Sequence, residues 1–72
     1  MSKEGKKYFN EFVDKATNDF HPRDVMRFIE WKTRGMQIPH DGTITRYIRE
    51  RRNLLHDVEL VNSVTSLYRK VK

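Results

Sequence analysis

Between Lys7 and Thr17 the chain reads KYFNEFVDKAT, and its apolar residues Tyr8, Phe9, Phe12, Val13 and Ala16 recur at helical intervals with charges between them. The pattern predicts an amphipathic helix of about three turns, preceded by a flexible polar tail over residues 1–6. The stretch NDFHPRD breaks it: Asn18 and Asp19 are poor helix-interior residues, and Pro22 suits the first turn of a new helix. A second helix is expected from Pro22 to Arg34, carrying Val25, Met26, Phe28, Ile29 and Trp31. Gly35 stands where a left-handed terminator belongs, with Lys32 and Arg34 near the negative end of the helix dipole. The aromatic cluster of these helices reads as core rather than as a cofactor box. Trp31 is expected in the core or at its edge, and would suggest a dimer surface if exposed.

A connection, GMQIPHDG, follows, with Met36 and Ile38 expected to anchor it to the core and Pro39 to end any helix before it. The third helix is expected from Asp41 to Arg52, with Asp41 or Thr43 accepting from free backbone N–H groups at its start. Ile44 and Ile48, with Tyr47 beside them, form its buried stripe, while Thr43, Thr45, Arg46, Arg49 and Arg52 fall outside it. After Asn53 the period becomes alternating. Leu54, His56, Val58 and Leu60 share one face of an extended strand, and a two-residue turn at Asn62-Ser63 would set Val61 opposite Val64, Leu60 opposite Thr65, Val58 opposite Leu67, His56 opposite Arg69 and Leu54 opposite Val71. Asn-Ser is a weaker turn signal than Asn-Gly, so a longer loop with a shifted register is the alternative.

Charge sharpens this picture at its centre. The net charge is +5 from 15 Lys and Arg against 10 Asp and Glu. Residues 1–20 are neutral, whereas residues 21–52 carry seven Arg and one Lys against four acids. Arg offers a planar fork of donors suited to phosphate and to guanine edges. A solvated charged surface explains the same excess equally well on charge alone.

Other chemistries find little footing. With 72 residues there is room for one small domain, residues 7–72, behind the tail. The sequence has no cysteine, no apolar run near the ~20 residues that span a bilayer, and no apolar stretch behind its basic N-terminus of the kind a signal peptide needs. These features point to a cytoplasmic protein away from membranes. His21, His40 and His56 lie far apart with no accompanying acids in a metal-ligand pattern. His56 and Asp57 would point to opposite faces of a strand, so they do not form a catalytic pair. Without a Gly-rich phosphate loop, a cysteine nucleophile or a framed carboxylate pair, the expectation is no enzyme, no cofactor and no small-molecule ligand.

The order helix, helix, linker, basic helix, hairpin resembles a winged helix-turn-helix domain, a DNA-binding module of many regulators, over residues 7–71. Its most specific part is TITRYIRERR, residues 43–52, similar to the recognition-helix pattern of a Thr, an aliphatic, two small or basic residues and a second aliphatic four on; Ile44 and Ile48 take the aliphatic places. One departure stands out. Such helices bury a third apolar residue seven after the first, and here that place holds Arg51. Either Arg51 snorkels along the core edge or Leu54 and Leu55 replace it.

The resemblance implies an α+β fold, a small winged helix of three helices followed by a C-terminal β-hairpin wing. It implies that the third helix enters the major groove of double-stranded DNA, with Thr43, Thr45, Arg46 and Arg49 at the reading positions. Arg can pair bidentately with guanine, and a Thr methyl can pack on thymine. Arg52 would reach a phosphate or bridge to Glu50. The wing tip, Val61, Asn62, Ser63 and Val64, would lie along the minor groove or backbone, and Arg23, Arg69, Lys70 and Lys72 would neutralise phosphates. The function so implied is a sequence-specific DNA-binding protein, a small transcriptional regulator whose footprint calls for a homodimer on a repeated or palindromic site. A viral or mobile-element protein would fit the length. The rival is a protein-docking module on the same fold, since fold does not dictate function. RNA binding comes third, with Tyr47 and Tyr68 as its stacking candidates.

Overall fold

In the computed structural model, residues 3–71 are described, Lys3 by its backbone only. Three helices, α1 (Lys3–Asp14), α2 (Pro22–Lys32) and α3 (Asp41–Leu55), precede a C-terminal antiparallel hairpin of β1 (Val58–Asn62) and β2 (Leu67–Lys70). This is the expected α+β arrangement, consistent with a winged-helix topology.

The buried side of each helix follows its periodicity. Phe9 and Val13 of α1, Val25 and Ile29 of α2, and Ile44, Tyr47 and Ile48 of α3 meet Phe20, Val58 and Tyr68 in one core. Burying an aliphatic or Phe side chain of this size contributes roughly 1.5–3 kcal/mol, so these positions dominate what holds the helices together. Phe12 fills the seam between α1 and α2, edge-on to Phe20 and Phe28 at ring-centroid distances of 5.4 and 5.5 Å. α1 starts earlier than its apolar pattern predicts: Lys3 to Lys6 belong to the helix rather than to a tail, with Glu4 complementing the dipole in the first turn. The part of the expected tail at residues 1 and 2 lies outside the described residues.

α2 opens as its sequence predicts, with extended His21 ahead of Pro22 and the Asp24 carboxylate accepting the His21 backbone N–H at 3.0 Å. It closes through Thr33, whose hydroxyl donates to the Ile29 carbonyl at 2.8 Å. Gly35 then turns the chain with φ +80, and Arg34 shares the left-handed region at φ 55. Beyond it the anchoring expectation is overturned. Met36 and Ile38 are exposed, whereas Pro39 is buried and the Gln37 N–H bonds to the Thr33 hydroxyl at 3.1 Å. Trp31 is likewise no core residue, standing 70% exposed.

The largest departure lies at the end of α3. The helix continues through Asn53, Leu54 and Leu55, where an alternating strand was expected, and both leucines face solvent. His56 ends it in the left-handed conformation (φ 53), its backbone N–H bonded to the Arg52 carbonyl at 3.0 Å. Leu54 therefore does not face Val71, nor His56 Arg69. The hairpin pairs Val58 with Lys70, Glu59 with Arg69, Leu60 with Tyr68 and Asn62 with Leu67, with an irregularity between Leu60 and Asn62. The shifted register comes from the turn. The Asn62 side-chain oxygen accepts the N–H groups of Val64 (2.9 Å) and Thr65 (3.2 Å), taking residues 63–66 out of pairing as a longer turn.

One pairing escaped the sequence reading. Phe20, between α1 and α2, exchanges two backbone hydrogen bonds of 2.8 Å with Tyr68, adding a single antiparallel rung to the hairpin. The His21 ring nitrogen Nδ1 donates to the Thr65 carbonyl at 2.9 Å beside it. Together these contacts seat the hairpin against the α1–α2 connection.

Candidate nucleic-acid interface

The outward face of α3 is set by what its inward face buries. Ile44, Tyr47, Ile48 and Arg51 point to the core at intervals of three or four, which leaves Arg46, Arg49 and Glu50 exposed and Thr43, Thr45 and Arg52 half-buried at the flanks. His40 occupies the N-cap without a side-chain cap, so neither Asp41 nor Thr43 serves as the cap expected of them; Asp41 instead lies in the first turn, where its charge favours the dipole.

The expected readers differ in how much they are already engaged. Thr45 turns its hydroxyl back on its own helix, donating to the Asp41 carbonyl at 2.9 Å. Arg46 lies over the Tyr47 ring at 5.6 Å and has its Nε 3.9 Å from the Glu50 carboxylate, a loose exposed pair. Arg49 has no ion pair among the described residues. Nor has Arg52, so the bridge to Glu50 is made by Arg46 instead.

The wing cations are more committed. Arg69 grips Asp19 with Nε and Nη2 at 2.9 and 3.3 Å and lies 3.6 Å from Glu59. Hydrogen bonding by Asp19 raises the Arg69 pKa, and the same bonds from Arg69 lower that of Asp19. Lys70 is half-buried with its Nζ 3.9 Å from Asp57. Asn62 spends its side-chain oxygen on the turn, while Ser63 is exposed beside it and Val64 is almost fully so. Lys72 lies outside the described residues.

Between the starts of α2 and α3 and the hairpin turn runs an open groove of about 470 Å³, lined by His21, Arg23, Arg27, Asp41, Thr45, Thr65 and Ser66 among others. It joins two expected site residues, Arg23 and Thr45, with three that sequence reasoning missed. Arg27 was within reach of that reasoning, because it stands one helical turn from Arg23 and shares its face. Thr65 and Ser66 were not, because their place depends on the hairpin register. Asp24 and Asp41 also line the groove, two carboxylates against two guanidinium groups, so it carries no formal excess of positive charge.

Arg51 resolves the departure in the recognition-helix pattern. It does not carry its charge along the core edge into solvent, nor do exposed Leu54 and Leu55 take its place; it is buried, with its charge satisfied. Its Nε and Nη2 bind the Asp57 carboxylate, the latter at 2.8 Å, Nη2 reaches Asp14 at 2.6 Å, and Nη1 donates to Asn10 at 3.1 Å. The hydrogen bonds to Asp57 chiefly, and then those to Asp14, raise the Arg51 pKa against the opposing effect of burial. The guanidinium in turn lowers that of Asp57. One guanidinium thus joins α1, α3 and the entry to β1, fixing the face that α3 presents outward.

Among the described residues, His, Asp and Glu gather in no group of three able to hold a metal ion, and no helix is long and apolar enough to cross a membrane. Comparison with known proteins finds no family model, curated protein or solved structure that matches the chain.

Proposed function

We propose that this chain binds double-stranded DNA in a sequence-dependent way, as a small transcriptional regulator, laying α3 in the major groove and the hairpin against the backbone or minor groove. The observation that carries the reading is the division of labour among the arginines of α3: Arg51 is consumed by the interior, whereas Arg49 and Arg52 keep their donors uncommitted and Arg46 is held by one loose pair. A helix whose buried stripe is satisfied and whose outer face offers unpaired guanidinium groups suits base edges and phosphates. Arg23 adds an exposed cation in the adjoining groove, where Asp24 and Asp41 offset the guanidinium charges. Arg49 is assigned as the chief reader, with Arg46 and Thr43 beside it, and Arg52 as a phosphate contact.

The RNA reading loses its support, because Tyr47 and Tyr68, its stacking candidates, are both buried. Fluorescence anisotropy with a labelled duplex across a salt series tests the proposal. Affinity is expected to fall steeply as salt rises, with Arg46→Ala plus Arg49→Ala weakening binding by at least about tenfold and making the salt dependence shallower. Selection from random duplexes is expected to yield a preferred sequence that Arg49→Ala relaxes at about one base pair. A chain that leaves duplex DNA unbound at low salt sinks the reading and promotes docking instead.

A further inference from the structure

The chain's only tryptophan, Trp31, stands 70% exposed at the end of α2, outside the core. It lines an open groove of about 750 Å³ with Arg27, Glu30, Lys32, Arg34 and Gly35. Met36, next in the chain after Gly35, is 86% exposed. Backbone hydrogen bonds close the turn beside it. The Gly35 N–H bonds to the Glu30 carbonyl at 2.8 Å and the Met36 N–H to the Thr33 carbonyl at 3.1 Å, while Phe28 supports the indole at a centroid distance of 6.2 Å. Lys32 packs its ammonium 5.3 Å from the Trp31 ring and is shared with Glu11. Arg27 and Arg34 have no ion pair among the described residues.

We infer that this face docks an acidic protein segment, one that sets an apolar side chain against Trp31 and carboxylates against Arg27 and Arg34. Charge selects the occupant: the groove carries three cations against the single carboxylate of Glu30. A second copy of this chain would bring the same excess of positive charge against itself. Nucleic acid would use the cations, but a base stacking on the indole would meet the Lys32 ammonium held 5.3 Å from the ring. Trp and Arg are also residue types that protein interfaces concentrate, and they carry much of the binding energy there. The inference stands apart from the α3 face, although Arg27 borders both grooves and would bring an acidic partner close to bound DNA.

Selection of a random phage-displayed peptide library on the whole chain tests the docking face. The expected winners interleave Asp or Glu with aromatic or aliphatic residues. A synthetic copy of the winner should shift the Trp31 emission to the blue. It should bind Trp31→Ala and Arg34→Glu at least about tenfold more weakly, while the circular dichroism of both variants stays that of the wild type. Enrichment of basic or no sequences, or equal binding to Trp31→Ala, overturns the inference. So does a blue shift driven by protein concentration alone, which marks self-association, or by a single-stranded oligonucleotide at lower concentration than the peptide.

Discussion

Arg51 occupies a place where a helix of this pattern ordinarily buries an aliphatic, and the molecule accommodates it with a ring of acceptors rather than by expelling it. The planar guanidinium suits that arrangement, because its donors diverge in one plane toward Asp57, Asp14 and Asn10. Removing one partner of a buried pair is costly because the other charge stays behind. Arg51→Leu leaves Asp57 with only Lys70, 3.9 Å away, among the described cations. Urea denaturation is therefore expected to show a loss of about 2–3 kcal/mol for Arg51→Leu, with part of it recovered when Asp57→Asn is added. A loss below about 0.5 kcal/mol would mean that the cluster behaves as a surface ion pair. Position 51 could be marked from sequence as anomalous. Two of its partners could not, since Asn10 and Asp14 lie 41 and 37 residues away.

The end of α3 shows why two periodicities can compete over the same residues. Leu54, His56 and Val58 alternate as in a strand, yet Asn53, Leu54 and Leu55 equally continue a helix, and local pattern offers no winner. Tertiary contacts choose: the chain must reverse at His56 to return Asp57 to Arg51 and to place Val58 in the core. The reversal puts a residue with a Cβ at φ 53, a conformation that glycine adopts without steric cost. His56→Gly is accordingly expected to raise stability by about 0.5–1 kcal/mol, read as a higher thermal midpoint. An unchanged or lower midpoint would show that the His56 side chain contributes more than its backbone geometry costs. The hairpin follows the same logic, since Asn62 reads as a turn residue in the sequence but its two acceptor bonds, and hence the register, belong to the folded turn.

Across the whole molecule, polar ties bind the helices to the hairpin: the Arg51 cluster, and at the α1–α2 connection the Phe20–Tyr68 rung with the His21–Thr65 bond and the Arg69–Asp19 pair. The first is sensitive to acid. Hydrogen bonds from Arg51 are the largest cause holding the Asp57 pKa below its ordinary value, so the folded chain releases this proton more readily than the unfolded chain. The resulting stabilisation is present above the unfolded carboxylate value of about 3.9 and is lost as pH falls through the lower folded value. Thermal midpoints measured from pH 7 down to about pH 2 should fall more for the wild type than for Asp57→Asn, narrowing the gap between them. Parallel curves would remove Asp57 from the account. What the sequence determined by itself is local: the apolar stripes of the three helices, the break before Pro22 and the left-handed turn at Gly35, because helical spacing and backbone preference act over a few residues. The burial of Arg51, the exposure of Trp31 and the pairing of Val58 with Lys70 were decided only in the fold, because each depends on which distant segments come to lie against it.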